Sequence, residues 1–162
     1  MGQLSLASVP RVLPFRVGAV RADSAGSVRT DLITLIEPRD ARARLAAPLP
    51  ATSGSVTVDL GLGCASTPVP CGFRIGSQVM AFDPHGGFDL FETVAAAGAS
   101  LQLDHLFPDT GHVYPVGASL VEVELRSYFL KTDPRTGAPG LAQYDGRARV
   151  DVPVVDHVAA LR

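Results

Sequence analysis

Apolar residues along this chain fall in short runs that alternate with polar ones. In SVTVDLG (55–61), Val56, Val58 and Leu60 face one way while Thr57 and Asp59 face the other, the period of a strand with one wet face. The same reading predicts strands over 31–37, 55–61, 77–83, 88–95, 100–105, 118–133, 141–145 and 154–161. Glycine and proline fall between these runs: DPHGG (83–87) supplies a tight hairpin, KTDPRTGAPG (131–140) a longer turn, and Asp145 with Gly146 another. The run over 118–131 is long for one strand, so a bulge or bend is expected near Glu124 to Ser127. The one helical candidate is PRDARARLAAPL (38–49), which opens with a proline suited to a first turn and closes before Pro50. Residues 1–30 show neither period and read as an extended arm.

These elements predict an all-β chain: an antiparallel sheet with a small bent or barrel-like subdomain and at most one short helix. The arm over 1–30 precedes a β-rich domain over 31–162, whose barrel-like core spans residues 55–131. Phe82, Phe88, Phe91, Leu101, Leu103, Val121, Val123 and Leu125 are the expected core. A length of 162 residues suits one such domain with an arm.

Composition narrows the classes. Hydrophobic residues make up 46% and charged residues 19%, enough to build a core and too apolar for a disordered chain. The net charge is −2 and the arginines are dispersed, so no basic footprint for nucleic acid is present. Apolar stretches are interrupted well short of the roughly 18 residues a membrane helix needs. The N-terminal MGQLSLASVPRVLPFRVG does not read as an export signal.

Candidate chemistry is sparse. GLGC (61–64) lacks the third glycine of a dinucleotide turn, and no nucleophile elbow, phosphate loop or zinc-protease motif occurs. His85, His105, His112 and His157 have no short ligand spacing, so neither a metal nor another cofactor is expected. Asp109 in FPDTG (107–111) carries the Asp-Thr-Gly letters of an aspartic peptidase; catalysis would need a dimer to supply a second carboxylate. An ordinary β-turn accounts for the same residues. Cys64 and Cys71 read as two small buried hydrophobes, as a redox pair spaced more widely than Cys-x-x-Cys, or as a structural disulfide. The disulfide fits best; it would contribute about 2.5 kcal/mol by loop entropy and belongs to an oxidising compartment.

The order RTDLITLIEP (29–38), GCASTPVPCGF (63–73), GSQVMAFDPHGGFDLFETVAAAGASLQLDH (76–105), YPVGASLVEVELRSYFLKTD (114–133) and LAQYDGRARVDVPVVDHVAALR (141–162) resembles the periplasmic part of the PilW-like minor pilins, which carry a prepilin-type cleavage and methylation segment. The resemblance covers residues 28–162 and rests on order and spacing, with Tyr128, Phe129 and Leu130, then Tyr144, Asp145 and Gly146, then Pro153 to Val158 as its most specific parts. It implies a non-enzymatic subunit of a type IV pilus or of a type II secretion-like pseudopilus, partnered by other pilins of its system. It also implies placement in the periplasm or on a cell-surface pilus. The family pattern adds a basic leader and an N-terminal apolar helix of about 20 residues, and continues beyond the position of Arg162. The chain is therefore expected to match the soluble middle of a longer minor pilin, truncated at both ends, with the apolar terminal strand open to pairing with another chain. A stand-alone small β-barrel binding module is the alternative, and a dimeric peptidase using Asp109 comes last.

Overall fold

The structure, a computed structural model, describes residues 12–13, 28–50, 54–61, 64, 69–106, 111–145 and 150–158. The strands among them are β1 (Val12–Leu13), β2 (Val28–Arg44), β3 (Gly54–Thr57), β4 (Gln78–Phe82), β5 (Phe88–Ala97), β6 (Ser100–His105), β7 (Ser119–Thr132), β8 (Pro139–Asp145) and β9 (Val150–Asp156). A single 3-10 turn, Pro70–Gly72, is the one helical element among the described residues. The chain is all-β, with antiparallel pairing.

The helix expected over 38–49 does not form. Its residues complete β2 as far as Arg44 and continue through isolated bridges at Leu45 and Leu49. Ala41, Ala43 and Leu45 are buried while Asp40, Arg42 and Arg44 are exposed, a strict period of two. Alanine, arginine and leucine favour helices intrinsically, but that preference is a few tenths of a kcal/mol per residue and yields to burial of every second side chain. Within the expected arm, the described residues 12–13 and 28–30 are also strand.

Among the described residues the strands group into two compact units, one within Pro38–Val123 and one within Pro10–Glu37 and Glu124–Arg162. β2 contributes to both, and so does β7. β7 passes from the first unit to the second at Val123/Glu124, at the edge of the stretch where the sequence predicts a bulge or bend.

In the first unit the strand order is β2-β7-β4-β5-β6-β3. The Ala46 N–H donates to the Thr57 carbonyl and the Asp59 N–H to the Arg44 carbonyl, both at 2.8 Å, which brings the end of β3 back against the end of β2. The sheet thus curls in a barrel-like way. One side of each strand fills the interior: Ala41 and Ala43, Val56 and Val58, Val79 and Ala81, Phe91, Leu101 and Leu103, and Leu120. Leu45, Leu49, Phe73 and Tyr114 join them from outside the strands. β4 is buried on both faces, with Met80 and Phe82 opposite Val79 and Ala81. Of the expected core, Phe82, Phe91, Leu101, Leu103, Val121, Val123 and Leu125 are buried, and Phe88 is half-buried at the start of β5.

In the second unit the order is β1-β2-β7-β8-β9. Leu32, Phe129, Ala142 and Tyr144 pack together on its inner face. The buried hydroxyls of Thr34 and Ser127 satisfy each other at 2.7 Å, so neither costs an unmade hydrogen bond. The terminal strand expected over 154–161 lies earlier, at Val150–Asp156. His157 takes a left-handed backbone (φ 61°) that ends it, and residues 159–162 lie outside the described ones.

Candidate interaction surface

Directly paired residues in a sheet share a face, and alternate residues along a strand change face. Leu32 on β2 and Ala142 and Tyr144 on β8 point to the inner face of the second unit, so their neighbours point outward. On β2 these are Ile33 and Leu35, with Val12 of β1 opposite Leu35. On β8 they are Leu141, Gln143 and Asp145, opposite Val155, Val152 and Val150 of β9. Val12, Ile33, Leu35, Val150, Val152 and Val155 are between 37% and 53% exposed. Half of the twelve exposed large apolar side chains among the described residues therefore share this one face. Between its two apolar groups, Arg126 binds Glu124 at 2.7 Å and lies 3.7 Å from Glu37. These pairs are only partly buried and open to solvent screening, so they are worth little in stability.

The outer edge of β9 is built differently. The Asp133 N–H donates to the Ala138 carbonyl at 2.9 Å and sets the phase of the β7–β8 ladder. By alternation, the backbones of Leu141, Gln143 and Asp145 turn toward β9. Asp151, Pro153 and Asp156 then point their main chain away from β8. Pro153 thus sits where its missing N–H costs the ladder nothing and deprives the outer edge of a donor. A bulge at Leu141/Ala142 and the two aspartates complete an edge ill suited to a further strand. The apolar area of β9 lies on its face and not along the pairing edge that the sequence suggested.

A polar cluster occupies the first unit. Asp83, nearly fully buried at the start of the DPHGG hairpin, accepts hydrogen bonds from the N–H groups of His85 (2.8 Å) and Gly87 (3.2 Å) on Oδ1, and meets His112 Nε2 at 2.6 Å on Oδ2. The Tyr114 hydroxyl donates to buried Asp89 at 3.0 Å, and the His112 and Tyr114 rings meet edge-on at 4.6 Å. Burial first, then the Asp89 carboxylate, pushes the Tyr114 phenol far above its usual range and holds it protonated as a donor. For Asp83, burial works to raise the pKa, but the bond to His112 and the two backbone donors together outweigh it and leave the carboxyl below its ordinary 3.8. The cluster ties the segment holding His112 and Tyr114 to the hairpin and to β5.

That geometry has a pH consequence. A depressed folded pKa means Asp83 contributes stability above its unfolded value near 3.8 and loses it as pH falls through the lower folded value. The first unit should therefore weaken on acidification below about pH 4, and His112→Ala should shrink that loss while costing about 2 kcal/mol at neutral pH. A Cβ on Gly87 would lie 2.7 Å from His112 Nε2 and 3.2 Å from Asp83 Oδ2. Gly87→Ala should thus displace the imidazole and mimic His112→Ala, and the two changes together should cost little more than either alone. Urea melts at several pH values read all three outcomes, and full additivity would show that Gly87 acts elsewhere.

Cys64 and Cys71 are bonded, with Cα atoms 4.4 Å apart. Asp145 closes β8 opposite Val150, while its turn partner Gly146 and the peptidase candidate Asp109 lie outside the described residues. Beside the β7–β8 turn a cleft of about 430 Å³ is lined by Lys131, Asp133, Arg135, Asp151 and His157 among others. Lys131 binds Asp151 at 2.7 Å, and Asp133 is held below the ordinary carboxylate range by the Arg135 N–H and the Thr136 hydroxyl, so these charges serve the turn itself. Among the described residues no group of three or more His, Cys, Asp or Glu side chains is placed to hold a metal ion.

The outward face was not anticipated from the sequence, although a signal existed. LITLI (32–36) and VDVPVV (150–155) carry apolar residues at both parities, and one of those sets must lie on the face away from the core. No protein-family model and no curated protein matches this chain.

Proposed function

We propose that the chain is a non-enzymatic assembly subunit of the pilin-like kind, serving a type IV pilus or a type II secretion-like pseudopilus together with other pilins of its system. The observation that carries the reading is the outward face of the second unit, where six exposed apolar side chains share one side of a sheet. Exposed apolar side chains gathered on one face of a sheet are characteristic of surfaces that meet other macromolecules. The bonded pair Cys64–Cys71 fits work in an oxidising compartment such as the periplasm or the cell surface. In the source cells, an antibody against the chain should find it in sheared surface filaments or in the envelope, and deleting its gene should reduce pilus assembly or pseudopilus-dependent secretion. Unchanged assembly and secretion in the deletion strain would overturn the reading. A binding module is the second reading, favoured by the cleft beside the β7–β8 turn; it would be supported if deletion left assembly intact while a ligand protected Lys131 from chemical modification.

A further inference from the structure

We propose that the outward face of the second unit is a self-association surface, on which a second copy of the chain packs sheet to sheet. The inference deepens the assembly reading, since it names a partner for the same face, but it does not depend on the pilin assignment. Its apolar residues form two groups at opposite sides of the face: Val12, Ile33 and Leu35 on β1 and β2, and Val150, Val152 and Val155 on β9. Between them β7 and β8 present the half-buried side chains of Arg126, Tyr128, Gln143 and Asp145, while Leu130, on the same side near the β7–β8 turn, is fully buried. A two-fold axis parallel to the strands lays the β1–β2 group of one copy over the β9 group of the other, with the middle strands β7 and β8 meeting their own counterparts. The face is complementary to itself under the commonest symmetry of protein dimers. Sheets pack in this manner with strands nearly aligned, about 30° apart.

Area decides what sort of dimer this makes. Strands about 4.8 Å apart make a five-strand face about 20 Å wide, and two copies pressed together there remove on the order of 1,000 Å² in all, the lower limit for a specific interface. A reversible dimer follows, not an obligate one. The competing geometry, strand addition at the edge of β9, is disfavoured by the outward-facing nitrogen of Pro153 and by the bulge beside it.

The test is sedimentation equilibrium of the full chain across a wide concentration range, with three variants whose folding is checked by thermal melting. The wild type should dimerise reversibly, and Val152→Asp and Leu35→Asp should each weaken the dimer about tenfold or more, by burying a charge against the opposite copy. Ile75→Asp, at an exposed position in the first unit, should leave it unchanged. Leu35 lies on β2, away from the β9 edge, so a dimer weakened by Val152→Asp but not by Leu35→Asp would assign the contact to the edge and overturn the proposal. A strictly monomeric wild type would overturn it, and so would an equal effect of Ile75→Asp. Should Val150→Lys replace a poorly folding Val152→Asp, the same outcomes apply. A monomer whose gene is still needed for assembly sinks only this inference; a dimer whose gene is dispensable for assembly sinks only the pilin reading.

Discussion

Replacing Phe73 by alanine is expected to lower the unfolding free energy of the first unit by about 3–5 kcal/mol, the usual cost of truncating a fully buried phenylalanine. Phe73 is wholly inaccessible and packs with Leu45, Leu49, Tyr114 and the inward side chains of the strands. It reaches that position from a loop, directly after the 3-10 turn, and its N–H donates to the Pro70 carbonyl at 3.0 Å. The truncation therefore leaves a cavity that the surrounding strands, bonded on both sides, can close only in part. Domains of this size are stable by only about 5–15 kcal/mol, so the variant should sit near the limit of folding and is best compared at low temperature. Phe88→Ala, at a half-buried position, should cost much less. Urea unfolding followed by circular dichroism reads the difference as a shift in midpoint at constant slope. A loss below about 1 kcal/mol for Phe73→Ala would place that ring outside the core.

Phe73 also illustrates what the sequence could convey. Leu101 and Leu103 were legible because they sit in a run of period two, where the alternation itself announces which side chains turn inward. Phe73 lies in GCASTPVPCGF (63–73), which has no period, so nothing local marks it as a core residue. Leu49 and Tyr114 escape for the same reason: each is placed by one pair of backbone hydrogen bonds, Leu49 to Tyr114 and back at 3.0 Å, between segments 65 residues apart in the chain. The strand over 38–44 was missed for the opposite reason, because a clear period-two pattern was written in residues that favour helices.

The candidate surface was harder to read than the fold. A sheet face becomes a candidate docking site through how exposed its side chains are, and sequence records only which residues are apolar, not how exposed they become. In VDVPVV (150–155) the apolar residues at both parities were visible, but they fit a strand buried on both sides as well as one that leaves a face open. The Asp83–His112 contact was equally hidden: its members are 29 positions apart, and the glycine that makes room for the imidazole, Gly87, read only as a turn residue.

Removing the disulfide is expected to have the next largest effect. Cys64→Ser with Cys71→Ser should cost the first unit about 2.5 kcal/mol through the freedom returned to the unfolded loop, and chemical reduction of the wild type should match it. The loss should stay below that of Phe73→Ala, because the bond acts chiefly on the unfolded chain while the phenylalanine fills the folded core. Cys71 adds a second contribution: its backbone is left-handed (φ 51°, ψ 18°), a conformation that costs a residue with a Cβ about 1 kcal/mol and that glycine adopts freely. The bond to Cys64 holds that conformation in place, and without it the strain is no longer offset. The pair Cys64→Ser with Cys71→Gly should consequently unfold about 1 kcal/mol later than the double serine variant, although neither can form the bond. Because Cys71 and Phe73 share one short segment, losing the disulfide and truncating Phe73 together should cost less than the sum of the two. Equal stability of the glycine and serine variants would show that the turn relaxes out of its left-handed conformation once the bond is gone. Strict additivity with Phe73→Ala would show that the loop and the core ring are anchored independently.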